Sequence, residues 1–135
     1  MLASSAAALG LTAQVPGYRD VENSIRDIGA LVAQRTESGR TDEPTVVLLA
    51  HGLQRFRSLR RDENDFSFSS EEGSAKADRV FGAILRDGPS VGVHVVAWAD
   101  TAASVQRYVD RAAMGGVVGG AVDGALCVGF GMCSL

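Results

Sequence analysis

An apolar run that could build a buried β-strand, TVVLLA at 45–50, ends on His51 and Gly52. A second run, VHVVAWA at 93–99, ends on Asp100 and Thr101. In an open α/β sheet, ligands bind outside the carboxyl ends of the strands, so His51, Gly52 and Asp100 are the candidate ligand-binding positions. Their chemistry is restricted. A neutral imidazole is a poor ligand for hard Mg²⁺, which prefers oxygen. Gly52 has no side chain, and a carboxylate at Asp100 repels phosphate unless a divalent cation bridges the two. No catalytic residue is assigned.

Past the first run lie Arg55, Arg57, Arg60 and Arg61, candidate contacts for DNA phosphates or for a subunit interface. Asp62, Glu63 and Asp65 follow at once and reduce the local field. A zinc set can be drawn from His51, His94, Cys127 and Cys133. The five-residue gap between the cysteines is not a zinc-knuckle spacing, so no metal ligand is expected. Each residue also has a purely structural reading. His51 can bond a loop carbonyl at the sheet edge, and His94 and Trp98 can be core residues. Asp100 can cap the next helix, and the arginines can form a solvated face.

These positions need elements to hold them. Residues 11–15, LTAQV, read as a short strand closed at Pro16 and Gly17. From Asp20, a candidate N-cap, Val21, Ile25, Ile28, Leu31 and Val32 recur at helical spacing to about Thr36. A second helix is expected from about Ala75 to Arg86, with Val80, Phe81, Ile84 and Leu85 on its apolar face. Gly88 and Pro89 stop it. A third starts near Thr101 and turns Val105, Tyr108 and Val109 toward a core. Strand alternating with helix points to a parallel sheet flanked by helices. The stretch from Arg57 to the second helix, charged and serine-rich with little periodicity, reads as a mobile surface loop.

The chain has 135 residues and a formal charge of −3, a single domain with no global attraction to DNA or anionic membrane. With only Cys127 and Cys133, no disulfide framework is expected and a reducing cytoplasm is the default. The first basic residue is Arg19, so the small-residue N-terminus reads as a short helix rather than a secretion signal. Residues 114–135 differ in kind: glycine is frequent and Asp123 is the only charge. A membrane helix is disfavoured there, because Asp123 near its middle costs about 2.5–3.5 kcal/mol. A glycine-rich final strand or a disordered end is expected instead, as a tail separate from a domain over 1–113.

The runs VVLLAHGLQRFRSLRR and FGAILRDGPSVGVHVVAWADT, in this order with a helix between, resemble the second half of an FtsK/SpoIIIE/HerA-type ATPase motor domain. The resemblance covers roughly residues 17–113 and implies a partial RecA-like P-loop fold, a mostly parallel sheet flanked by helices. For the intact family it implies ATP and Mg²⁺ as cofactors, a ring of ATPase subunits and translocation of duplex DNA, in the cytoplasm and with no membrane partner. The chain departs from the pattern at the decisive places. It holds no G-x-x-x-x-G-K-[ST] phosphate loop. The resemblance implies that His51, Gly52 and Asp100 fall at nucleotide-binding positions: the family has Asp-Glu where His51 and Gly52 stand, a degenerate Walker B, and Asp100 corresponds to its γ-phosphate sensor position. Phosphoryl transfer depends on such groups for electrostatic positioning, so the chain is expected not to hydrolyse ATP alone. The expectations are therefore a truncated relative of the translocases, a non-catalytic α/β interaction module, or an incomplete gene product.

Overall fold

The computed structural model describes residues 2–40, 42–61 and 76–109, and the backbone of 117–122 and 125–130. Among these, four strands and four α-helices occur in the order α1 (Leu2–Ala8), α2 (Val21–Ser38), β1 (Val46–His51), α3 (Ala77–Asp87), β2 (Val93–Ala99), α4 (Ala102–Gln106), β3 (Val117–Val122) and β4 (Ala125–Phe130).

The central expectation holds. Strands β1 and β2 are parallel neighbours in register from Val46 opposite Val93 to His51 opposite Trp98, with α3 between them in the chain. Parallel strands need a crossover of this length, and α3 supplies it. Its buried residues Phe81, Ile84 and Leu85 form one core with Val93, Val95, Ala97 and Ala99 of β2. Helix α2 adds Ile25 and Val32 to the same core and packs on α3. The contact is close because Gly29 lacks a side chain: a Cβ there would collide with Val80 Cγ1.

Arg35 ties the end of α2 to the sheet. Its buried guanidinium donates from Nη1 to Val91 O (3.0 Å) and from Nη2 to Pro44 O (2.8 Å). These carbonyls precede β2 and β1, so one side chain fixes where both strands begin.

Four expectations change. Residues 11–15 lie in no strand. A strand is stabilised by its ladder, and no described neighbour supplies one for this segment. Asp20 holds the N-cap position of α2 without a side-chain capping bond, while Ser24 Oγ donates to the Asp20 carbonyl (3.0 Å). The third helix is a single short turn, α4, although Val105, Tyr108 and Val109 are buried as expected.

The fourth change concerns the sheet. Its order is β1-β2-β4-β3, and β4 runs antiparallel to both β2 and β3. Only the β1–β2 pairing is parallel among the described strands, so the sheet is mixed rather than mostly parallel. The glycine-rich tail thus contributes two strands to the same sheet. Its sequence signal is Asp123 and Gly124 between two apolar runs, a dipeptide favoured between hairpin strands. The mobile-loop expectation for 62–75, and the expectation of disorder at 114–116 and 131–135, fall outside the described residues.

Candidate functional site

The β1–β2 pair has two unlike faces. On one, Val93, Val95, Ala97 and Ala99 are buried beneath the helices, with Val46, Leu48 and Ala50 packed beside them. On the other, Val47 stands opposite His94, Leu49 opposite Val96 and His51 opposite Trp98. Side chains alternate along a strand, so these six share the second face. Val47 and Leu49 keep 52% and 58% of their surface in water. His94, Val96 and Trp98 are half-buried and His51 is exposed. His94 and Trp98, expected in the core, therefore lie on the open side of the sheet.

At the carboxyl end of that face the His51 and Trp98 rings sit 6.2 Å apart and tilted by 42°. Gly52 follows with φ +73°, a left-handed conformation that a side chain strongly disfavours, and the chain turns sharply off the sheet. Gly52 is buried, so this position directs the backbone.

The arginine run comes next, and residues 57–59, expected in a loop, form a 3-10 turn. Two successive 3-10 turns, Leu53–Arg55 and Arg57–Leu59, hold Arg55 and Arg57, and Arg60 and Arg61 follow directly. Such turns repeat every three residues. Leu53, Phe56 and Leu59 recur at that interval: Leu53 and Leu59 are buried, and Phe56 packs on the core. Arg55, Arg57, Arg60 and Arg61 remain exposed. The spacing of three was visible in the sequence, and a search for helical and strand periods alone overlooks it.

Two further residues complete this region. The Arg61 amide donates to Arg107 O (3.0 Å), which brings an exposed fifth arginine to the end of α4. Burial raises the Tyr108 phenol above its ordinary pKa, and the positive charges of Arg60, Arg107 and Arg57 oppose that rise. Tyr18 anchors the other flank: its hydroxyl donates to Arg55 O (2.9 Å) and its ring stacks on Phe56 at 6.0 Å.

Asp100 stands exposed after β2. The cap of α4 is Thr101, whose Oγ1 accepts from the Ser104 amide (3.1 Å). Hydrogen bonding from the Ser104 side chain is the largest influence on the Asp100 carboxyl; with lesser help from the Thr101 and Asp100 backbone and the Thr101 hydroxyl it holds the carboxyl below its ordinary pKa, against desolvation. Asp100 is thus a charged residue at the helix start, with the cap itself one position later.

The strand ends bring His51, Gly52 and the arginines together on one side of the molecule, with Asp100 at the adjacent strand end. His94 stands at the opposite end of the strand pair, roughly 13 Å from His51 by strand rise. No group of three or more His, Cys, Asp or Glu among the described residues is arranged to hold a metal ion. No described helix is long and apolar enough to cross a membrane.

Comparison with known proteins adds no relative: no family model matches the chain, and neither a curated protein nor a solved structure does.

Proposed function

We propose that this chain is a non-catalytic α/β binding module, similar to the second half of an FtsK/HerA-type motor domain, that acts by docking onto other protein subunits. The observation that carries this reading is the open sheet face. Parallel strands are almost always covered on both sides, and Val47, Leu49, Val96 and Trp98 form an apolar surface of the kind a partner covers. His51 and Gly52 support it too: the strand end offers an imidazole and a turn glycine where a nucleotide motor needs carboxylates.

The module is expected to bind no ATP–Mg²⁺ by titration calorimetry and to show no ATPase activity above background. Mixed with an intact motor domain of that family, it should enter the ring, read by native mass spectrometry, and a Val47→Ser/Leu49→Ser variant should not. Turnover abolished by Asp100→Asn would overturn the reading and make Asp100 a metal ligand.

A second reading, DNA contact, is favoured by one observation, the exposed cluster of Arg55, Arg57, Arg60, Arg61 and Arg107. Four phosphate contacts would give a slope of about −3.6 in log K against log salt on duplex DNA. The acidic balance of the chain opposes it, so the isolated protein is expected to bind duplex weakly or not at all. Submicromolar binding by fluorescence anisotropy, lost when the arginines become glutamine, would establish a DNA site instead.

A further inference from the structure

Among the described residues two parts of this molecule lack a partner, and they fit one another. The first is the outer edge of β1, the last strand in the sheet order among the described residues. Val46 N–H donates toward β2, to Gly92 O (2.9 Å). Backbone groups alternate in direction along a strand, so the N–H and C=O of Val47, Leu49 and His51 point outward, where no described strand meets them. Edge strands are normally protected from pairing by lysine, proline or charge. β1 reads VVLLAH and carries none of these.

The second part is the segment 11–15. Leu11, Ala13 and Val15 alternate with Thr12 and Gln14, the pattern of a half-buried strand. Yet Leu11 is 61% and Val15 67% exposed. No charged side chain precedes Arg19, so neither surface repels the other.

The path of the chain links the two. Tyr18, just past Val15, is held at the carboxyl end of β1 through Arg55 O. Helix α2 then returns to the other end, where Arg35 grips Pro44 O just before β1. This is the course of a β–α–β unit, whose first strand would run parallel to β1 and end near Val15. The helix and second strand of the unit are in position. The first strand is off the sheet.

We propose that the free edge of β1 is filled by residues 11–15 of a second copy of this chain, with the two copies exchanging these segments reciprocally about Pro16 and Gly17. In the single chain the segment lies in no element and stays solvated, and a hinge of only these two residues separates it from Tyr18, which is bonded to Arg55 O. Short constrained hinges favour exchange between identical chains. A reciprocal exchange is self-complementary and closes at two subunits. It gives the outward N–H groups acceptors and withdraws Leu11 and Val15 from water. This goes beyond the binding-module reading: the edge is a backbone surface and the open face a side-chain surface, and either can fail alone.

Light scattering after size exclusion tests the inference on the full chain. The expected mass is twice that of the monomer, falling to one copy in a Leu11→Asp/Val15→Asp variant. The exposed positions of both residues leave the fold of each subunit intact, checked by circular dichroism. Leu49→Pro, which removes an outward N–H and leaves the β2-facing bonds, should also be monomeric, whereas Leu49→Thr should remain a dimer. If Leu49→Pro does not fold, the N-terminal variant alone decides. Amides of 11–15 should be protected from exchange in the dimer and open in the variant. A wild-type monomer at every concentration overturns the proposal, as does a dimer that survives the N-terminal variant. Protected 11–15 amides in a monomer overturn it too, and assign the edge to the chain's own segment.

Discussion

Both faces of the β1–β2 pair carry branched aliphatic side chains, and these meet different fates. Val93 and Val95 are buried under α3, whereas Val47 and Leu49 remain more than half exposed on the other side. Hydrophobic sequence alone does not distinguish them, since VVLLA and VHVVAWA are apolar at nearly every position. What separates them is whether a described helix lies over the face. The covered face shows what α2 and α3 bury, and the open face what the described elements leave in contact with water.

The largest effect that sharpens this contrast lies under α3. Phe81→Ala should lower stability by about 3–5 kcal/mol, measured by urea unfolding, because Phe81 is fully buried at the centre of the covered face. Loss of the Arg35 grip comes next. Arg35→Met strands the Val91 and Pro44 carbonyls in a buried setting and should lower stability by about 2–3 kcal/mol, with Lys recovering only part of it. Gly29→Ala should lower it by about 1–3 kcal/mol, because Val80 must shift to admit a methyl group. On the open face the contrast should reverse. Leu49→Thr is expected to change stability by less than about 0.5 kcal/mol. A loss comparable to Phe81→Ala would break the comparison, since it would mean that Leu49 already packs in the isolated chain.

The smallest effect is electrostatic. Asp100 has a lowered pKa when folded, so its contribution is present above the ordinary carboxylate range and disappears as pH falls through the folded value. Asp100→Asn should therefore differ from the parent at neutral pH and converge with it in acid, read from paired thermal melts.

The parts of the fold that sequence reveals are those governed by local periodicity. Helical spacing located α2 and α3, and two apolar runs bounded by Pro44 and Gly92 located β1 and β2. The covering of the sheet was not legible, because VHVVAWA reads the same whether His94 and Trp98 face a core or water. Residues 11–15 misled for a related reason: alternation describes a strand's side chains and says nothing of a ladder partner. At the candidate site, Arg55 to Arg61 could be picked out by charge, but Arg107 and Tyr18 join them only through tertiary contacts distant in sequence. The β3–β4 hairpin carried a legible signal in Asp123 and Gly124, which the abundance of glycine around it obscured.

The mixed order of the sheet also sets a timetable for assembly. β3 and β4 pair across only two residues, a contact that closes quickly with little loss of chain entropy. β1 must wait for β2, because Val46 finds Val93 only after α3 and its flanking turns have been made. Since β4 pairs with β2, the hairpin can form on its own and then add to the parallel pair as a preassembled unit. During synthesis, β1 therefore leaves the ribosome with both edges open and stays so until residue 99 has followed it. That interval is when an apolar strand without charge is most exposed to the wrong neighbour.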